Sequence, residues 1–598
     1  MALLLLLIAA AGLNGLIAQK KSSHPGFVLD EMVITGTRTG LSRHSDRNVD
    51  VISRDEMRDV CASSVLDAIG RVSLVDLRSR GVAGIQSDIR MRASTFSQTL
   101  VMVDGIPIRN PQTAHHNSDI PVPLSDIERV EIRKGGSSSI YGSGAFGGVI
   151  HIITRRDHGN TGFLSVKGGR HGTFGTSTGI GIGGKTLQSS LSLDYKRSDG
   201  HEKDLDYQVW SVRDSHRIVS ECTDTRIAVS WLDKDFGARN FYAPFPSEEK
   251  TRAFFSSAGS DISLSESLTL VPRISYTRHS DTFILDREKS DFYQSSHITD
   301  TLYSALEVSG RIHPLLRFAA GVDITFDKIR GNGLGRHSTF NRAVFAELRC
   351  GTRKRWMISP GLRYDINTMW GGFLSSSVDA VWHIDRQLYL RAGTGRSFRA
   401  PDYTELYYAS PANQGNADLE PEKAWSYEAG IGFTRRRLRL SAGFFARRSF
   451  DEIDWIKDAV TDPWQAENAA MYDVRGVNVS ADVRIGHAGR AQFLYEHAQK
   501  EQTNPVNFSK YASDFAEHNF RCNWFIRLPY SITAVQSFIY KTFDGRTDEK
   551  VFSVSMSKKH KRFTLFVAAE NIFNDTIEYL DGVPGRQRYV ESGLSFEF

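Results

Sequence analysis

The 598-residue sequence predicts an all-β membrane barrel of about 22 antiparallel strands, closed around a small N-terminal α/β unit that plugs its lumen. Three observations predict this. From residue 160 to residue 598 nearly every stretch alternates apolar and polar residues with period two, and none sustains a helical period. The connections between these stretches alternate long and short. The first 155 residues instead mix capped helical segments with short buried strands.

Composition bounds the class. With 40% hydrophobic residues, 24% charged residues and a mean hydropathy of −0.33, the chain is too polar for a bundle of apolar membrane helices. Fifty Gly, 35 Phe and 20 Tyr against 17 Pro supply aromatic residues that a disordered chain lacks. The 74 basic and 69 acidic residues nearly balance, which argues against a nucleic-acid partner. Cys61, Cys222, Cys350 and Cys522 are far apart with no CxxC among them, so neither a zinc site nor a disulfide framework is indicated.

Residues 1–19 are uncharged and apolar up to Ala18, and Lys20 and Lys21 follow; they read as a secretory signal peptide, although the usual basic start is missing. A membrane anchor is the competing reading. The run is short for a span, and Gly12, Asn14 and Gly15 interrupt it. Residues 20–44 read as a periplasmic tether, in which a short β-prone patch at Met32-Val33-Ile34 suits a peptide that adds a strand to a partner's sheet. An ordinary first strand has the same appearance.

Residues 45–155 read as the compact α/β plug. Ser53-Arg54-Asp55-Glu56 is a capping box, Ser63 or Ser64 opens a second helix at Val65, and Ser125-Asp126-Ile127-Glu128 repeats the box. Thr99-Leu100-Val101-Met102-Val103 is a buried strand running into the Asp104-Gly105 turn, and Gly148-Val149-Ile150-His151-Ile152 is another.

Residues 160–598 read as the barrel. Along residues 477–485, Val477, Val479, Ala481, Val483 and Ile485 share one face, and Asn478, Ser480, Asp482 and Arg484 share the other. A strand between lipid and a wet lumen requires that division. Counting back from Phe598, long links at 572–587, 542–549, 500–515, 450–473 and 397–424 alternate with short ones at 558–562, Pro529, 486–489 and 435–437. One edge of the sheet thus carries tight periplasmic turns and the other large loops. An even count near 22 falls in the size range whose lumen is plugged. The last strand ends on aromatic Phe598.

Several ordered motifs now bear on family. They are Asp88-Ile89-Arg90-Met91-Arg92, Val103-Asp104-Gly105-Ile106-Pro107, Ile127-Glu128-Arg129-Val130-Glu131-Ile132-Arg133-Lys134-Gly135 and Ser139-Ile140-Tyr141-Gly142-Ser143-Gly144-Ala145-Phe146-Gly147-Gly148 in the plug. In the barrel they are Ser397-Phe398-Arg399-Ala400-Pro401-Asp402, Gly415-Asn416-Ala417-Asp418-Leu419-Glu420-Pro421-Glu422 and Glu570-Asn571-Ile572-Phe573-Asn574. By these motifs the chain resembles the TonB-dependent outer-membrane receptors over nearly all of its mature length. Two positions depart from the family pattern: Gly136 stands where Pro is usual, and Ala93 where Gly is frequent.

The resemblance implies a multi-pass protein of the Gram-negative outer membrane, embedded in its lipid, with no catalytic centre and no cofactor. It implies a TonB box within residues 30–38, centred on Glu31, Met32, Val33, Ile34 and Thr35, on which TonB, energised by ExbB and ExbD, would pull. A surface lipoprotein that caps the loops is a further possible partner. Arg90, Arg92, Glu128 and Glu131 are the expected ionic contacts between plug and wall, with Glu420, Glu422 or Glu428 as wall partners. Buried pairs of this kind set a register that force can switch. Ordinary surface pairing is the alternative.

Within the family the chain looks most like the cobalamin (BtuB-type) receptors, on residues 110–117, 399–408 and 411–416. Asn110, Gln112, Thr113, His115, His116, Asn117 and Asn413 would offer donors and acceptors to corrin amides, and Tyr407 and Tyr408 flat apolar faces. The competing reading is a polar turn. Adjacent His115 and His116 do not easily ligate one ion and no third ligand is evident, so no metal site is assigned there. Asp194, Asp199, Asp204 and Asp206 lie in and beside an outer loop that calcium could order, although a solvated acidic loop looks the same.

Residues 179–186 match the phosphate-loop pattern GxxxxGK[ST], but a strand follows where the motif needs a helix, and Lys185 falls in a tight turn. The expected function is therefore energised import of a large scarce nutrient, cobalamin or a related corrinoid first. A siderophore or haem receptor is the rival on the same fold. A passive porin is the rival of another class, and it would leave residues 45–155 without a purpose.

Overall fold

The computed structural model describes residues 49–598, apart from 83, 157–158, 353–354, 487–488, 504–507, 512–513 and 581–582. The expected signal peptide, the tether and the box at Glu31, Met32, Val33, Ile34 and Thr35 lie outside the described residues.

The period-two pattern resolves as a protein with its apolar face outward. Val477 and Val479 are 40% and 46% exposed on the outer surface, whereas Asn478 between them is 4% exposed. Among the described residues, most exposed large apolar side chains sit on barrel strands, and many buried polar ones lie on the same strands facing the lumen. The sheet closes antiparallel where Tyr589–Glu597 pairs with Thr161–Gly169. Two-residue pieces at 409–410, 413–414 and 508–509 belong to loops, and 22 strands form the wall. No described helix is long and apolar enough to cross a membrane.

The alternation of turns is present as expected. Residues 436–437 and 561–562 make tight turns on one edge, and residues 400–421, 503–517 and 571–588 make the largest loops on the other. Lys185 lies in the tight turn between Phe174–Gly183 and Leu187–Ser198, so the phosphate-loop match is a hairpin. One link is shorter than expected. Residues 450–473 are mostly ladder, because Leu438–Lys457 and Trp464–Ile485 stay paired beyond a bulge near Glu452 and leave only 458–463 as a loop. Backbone pairing is favourable whether or not the side chains are apolar, so charged Asp451, Glu452 and Asp454 do not end the strand.

The plug is a five-stranded sheet with short helices. Its elements are β1 (Val49–Ser53), α1 (Arg54–Asp59), α2 (Val65–Val72), β2 (Asp76–Ser79), β3 (Ser87–Arg90), β4 (Thr99–Val103), β5 (Ile106–Pro107), β6 (Ile127–Lys134), α3 (Ser138–Tyr141) and β7 (Gly148–Thr154). The sheet order is β1-β6-β7-β4-β5, with β4 and β7 parallel, and β2 and β3 pair separately. The capping box at Ser53 is formed, with Glu56 N donating to Ser53 Oγ at 3.3 Å and Ser53 N to Glu56 Oε2 at 2.8 Å. Ser64 caps α2, whose Leu66, Ala68, Ile69 and Val72 are buried. The repeat at Ser125 opens no helix. Residues 124–126 form a single tight turn, and Ile127 starts β6, which is held between β1 and β7.

Of the four expected ionic contacts, Arg90 and Arg92 reach the wall. Arg92 Nη1 donates to Glu428 Oε1 at 2.8 Å, and Arg90 Nη2 lies 3.4 Å from Asp514 Oδ2. Glu131 is buried, with Arg129 of its own strand at 2.8 Å among its contacts, whereas Glu128 is exposed, a correction for Glu128 that follows from strand geometry. Residues three apart on a strand face opposite sides. Among the expected wall partners, Glu422 accepts from Gln98 Nε2 at 2.9 Å, while Glu420 is exposed beside Lys423. Sequence reading missed Arg78, fully buried among Asp76, Asp514 and Glu549, and Lys541, 3.1 Å from Asp76.

Both departures from the family pattern lie at this boundary. A Cβ on Gly135, at φ +87°, would sit 2.0 Å from Glu428 Oε1, and one on Gly136 would sit 2.9 Å from Ser397 Oγ, so the wall presses on this turn. Arg92 and Ala93 both adopt left-handed backbone, at φ 51° and 54°, and the Ala93 methyl packs on Phe445, Val474 and Ala498.

Two outcomes are expected. Glu428→Ala leaves the Arg92 guanidinium, 4% exposed, without its carboxylate; breaking a fully buried pair costs about 3–5 kcal/mol, and because Glu428 is 21% exposed about 2 kcal/mol is expected. Amide exchange in residues 90–95 of detergent-solubilised protein should quicken, and unchanged exchange would show that the pair does not hold the plug. Ala93→Gly removes about 1–2 kcal/mol of left-handed strain against about 0.8 kcal/mol of methyl burial, so its melting temperature should match or exceed the parent's. Ala93→Val, branched and pressed on Phe445, should melt lower.

Candidate binding site at the outer mouth

The long loop 400–421 builds the mouth. Its helix α4 (Tyr403–Tyr407) is capped by Asp402, which accepts from Glu405 N at 2.9 Å, while Glu405 Oε2 accepts from Asp402 N at 2.9 Å. Arg399 forks onto Glu405 at 2.8 and 3.0 Å and onto Glu422 at 2.6 Å, anchoring the loop's two ends together. Burial, then the neighbouring Glu405, pushes the Asp402 carboxyl well above the usual carboxylate range.

Aromatic side chains gather on this frame. Tyr403, Leu406, Leu419, Ile453 and Trp455 form a buried cluster, on which Tyr407, Tyr408, Trp464 and Tyr511 lie partly buried. Tyr407 stacks on His337 with centroids 3.6 Å apart, and the Tyr408 and Tyr293 hydroxyls are 3.0 Å apart. Lys457 and Lys510 place their ammonium groups 4.6 and 5.8 Å from the Trp464 ring, and Lys510 reaches Asn413 Oδ1 at 3.3 Å. The result is a half-exposed aromatic shelf edged by two cations.

The plug's crown, residues 110–119, lies beneath the shelf and is latched to it by backbone. Tyr403 N donates to Pro111 O and Thr404 N to Gln112 O, both at 2.9 Å. The polar crown residues are buried and bonded in part within the protein, while Asn110 Nδ2 and Gln112 Oε1 have no hydrogen-bond partner among the described residues. Asn110 N donates to Asn117 Oδ1 and Gln112 N to Asn110 Oδ1, knotting the turn, and Gln112 Nε2 meets wall residue His297 at 3.0 Å. His115 stacks on Phe96 and pairs with Asp88 at 2.6 Å. Burial opposes ionisation of Asp88, yet His115 and Arg80 hold its carboxyl below the usual range. Burial pushes the His116 imidazole down to about 4.

Asn110, Gln112, His115, His116 and Asn117 are thus buried, while Thr113, Tyr407, Tyr408 and Asn413 keep part of their surface at the mouth. Of the acidic residues weighed for calcium, Asp194, on its strand, accepts from Ser177 Oγ and Leu124 N, Asp199 N donates to His171 O, and Asp204 and Asp206 share Arg287 at 3.4 and 2.6 Å. Sequence reading missed Arg399, Trp464 and Lys510, and with them Lys234, which holds Asp119 at 2.7 Å. Their alternation assigns the strand residues to the lumen, but nothing local signals which plug residue each one meets.

Comparison with known proteins agrees with this architecture. The family model "TonB-dependent Receptor Plug Domain" matches residues 42–149, and "TonB dependent receptor-like, beta-barrel" matches residues 141–572. Among curated proteins, the vitamin B12 transporter BtuB of Vibrio vulnificus (strain YJ016) is 25% identical over 484 residues, 76% of each chain. That of Photobacterium profundum is 23% identical over 481 residues, again 76% of each. Among solved structures, a mutant of the ferric enterobactin receptor of Pseudomonas aeruginosa superposes with TM-score 0.77 at 16% identity, covering 92% of this chain and 98% of its own. The ferric-catecholate import receptor Fiu of K12 E. coli does so with TM-score 0.77 at 13% identity, covering 94% and 99%. Both structural likenesses are in fold. The chain belongs to the TonB-dependent receptors, transport proteins of the Gram-negative outer membrane that work with TonB and are not enzymes.

Proposed function

We propose that this receptor binds cobalamin or a related corrinoid at the aromatic shelf and imports it when TonB, energised by ExbB and ExbD, pulls on the box at Glu31, Met32, Val33, Ile34 and Thr35. The shelf itself carries the reading. Tyr407, one face of which is stacked on His337, and Tyr408 remain partly exposed, as do Thr113 and Asn413, which suits a large ring bordered by amides. Relatives named as vitamin B12 transporters support the same choice.

One observation favours a second reading. Lys457 and Lys510 give the shelf a positive edge, which suits an anionic ferric siderophore or haem propionates. In either case cargo does not pass the plug at rest. Buried contacts between plug and wall, among them Arg92 with Glu428 and Arg78 with Asp514 and Glu549, hold the plug in the lumen at rest. The plug must be remodelled, which requires work.

The test is binding of cyanocobalamin to purified, detergent-solubilised protein, with ferric siderophores and haem as competitors. Tight binding that falls about tenfold or more in the Tyr407→Ala/Tyr408→Ala variant is expected, a change of about 1.4 kcal/mol. Displacement by a siderophore or haem, with no cyanocobalamin binding to a folded barrel, would move the assignment to the second reading. Removal of residues 30–38 is expected to abolish uptake by cells while leaving binding to the purified protein intact. Undiminished uptake would defeat the assignment of the box.

A further inference from the structure

Beneath the crown, several wall side chains carry buried polar atoms that are not hydrogen-bonded. Nδ1 of His279, Oδ1 of Asp281 and Oε2 of Glu249 each lack a partner among the described residues, on side chains 5%, 5% and 2% exposed. The opposite side of two of these groups is fixed. Asp119 Oδ2 holds His279 Nε2 at 2.7 Å, which leaves Nδ1 as the uncommitted nitrogen, and His297 Nδ1 holds Asp281 Oδ2 at 2.9 Å, which leaves Oδ1. A carboxylate behind a histidine and a donor behind a carboxylate are the arrangement that orients metal ligands.

The third group comes from the plug. His116 Nε2 lies 3.9 Å from Asp281 Oδ1, its ring centroid lies 4.6 Å from that of His279, and one ligand atom from each of the three lies within 4.8 Å of the others. From this arrangement we infer that His116, His279 and Asp281 form a binding site for one divalent transition-metal ion that joins the plug's crown to the barrel wall.

The donor set defines the class of ion. Two imidazoles and a carboxylate suit zinc, cobalt, nickel or copper, whereas calcium and magnesium take oxygen donors. Charge points the same way: Asp119, Glu249 and Asp281 gather around His116 against the ammonium of Lys234, while Arg80 is occupied by Asp88 at 3.4 Å. An ion with bonds of about 2.1 Å sets tetrahedral ligand atoms roughly 3.4 Å apart, so binding draws the crown onto the wall. Glu249, with its uncommitted oxygen, or water completes the shell. Because one ligand rides on the plug and two on the wall, withdrawing the plug breaks a metal bond. The site does not depend on which nutrient the receptor carries.

The experiment uses the full chain in detergent, stripped with a chelator and titrated calorimetrically with Zn²⁺ alone. One ion per chain is expected, with affinity lowered about tenfold or more in His279→Ala and in Asp281→Ala. Bound Zn²⁺ should also slow amide exchange in residues 113–119. Co²⁺ added to the unaltered protein should give the intense visible absorption of a tetrahedral site with nitrogen ligands, a readout that needs no variant to fold. Absence of stoichiometric Zn²⁺ and of that absorption, or equal affinity in folded variants, would overturn the site.

Discussion

Filling a polar lumen with a folded plug removes most of the water that would otherwise solvate its charges, so each charge must be met by another protein group. Arg78, Arg90 and Arg521 are among the largest fully buried side chains, a place that apolar residues occupy in a soluble domain. Arg78 draws Asp514 and Glu549 from the wall, Arg92 draws Glu428, and Asp119 draws Lys234. Directional pairs of this kind define one seating of the plug. Apolar packing would tolerate a shift of the plug along the wall, whereas the same shift would unpair several charges at once.

That seating explains the strained turns beside it. Arg92 and Ala93 take left-handed backbone, which aims the guanidinium at Glu428 and the methyl at Phe445. Gly135 keeps the space that the Glu428 carboxylate occupies. Backbone strain in the plug is thus offset by contacts to the barrel, and it is released only when the two separate.

The barrel was legible in the sequence because a two-sided strand between lipid and a polar lumen leaves no choice of pattern. Val477, Asn478 and Val479 read the same way in the sequence and in the structure. The parity of turns was legible for the same reason, since tight turns need few residues and outer loops are unconstrained. Where local rules failed, a tertiary contact had overridden them. Ser125 to Glu128 has the residues of a capping box, yet pairing with β1 and β7 makes Ile127 the start of a strand. Residues 450–473 have a loop's charges, yet the ladder carries on through them. The crown was legible as polar, but its burial was not. Gln112 meets His297 and His116 stands beside His279, partners more than a hundred residues away whose height on the wall no periodicity reveals.

The same contacts connect the mouth to the plug. Tyr407 and Tyr408 lie at the C-terminal end of α4, and the amides of Tyr403 and Thr404 at its other end donate to crown carbonyls at Pro111 and Gln112. The short helix thus ties the aromatic residues at one end to the crown at the other. The Gln112 side chain lies against His297, whose Nδ1 also meets Asp281. From the crown the contacts continue to β3, where His115 pairs with Asp88 and Arg90, two residues on, meets Asp514 in a loop. The aromatic shelf, the crown and the seating of the plug are therefore joined by one continuous run of contacts.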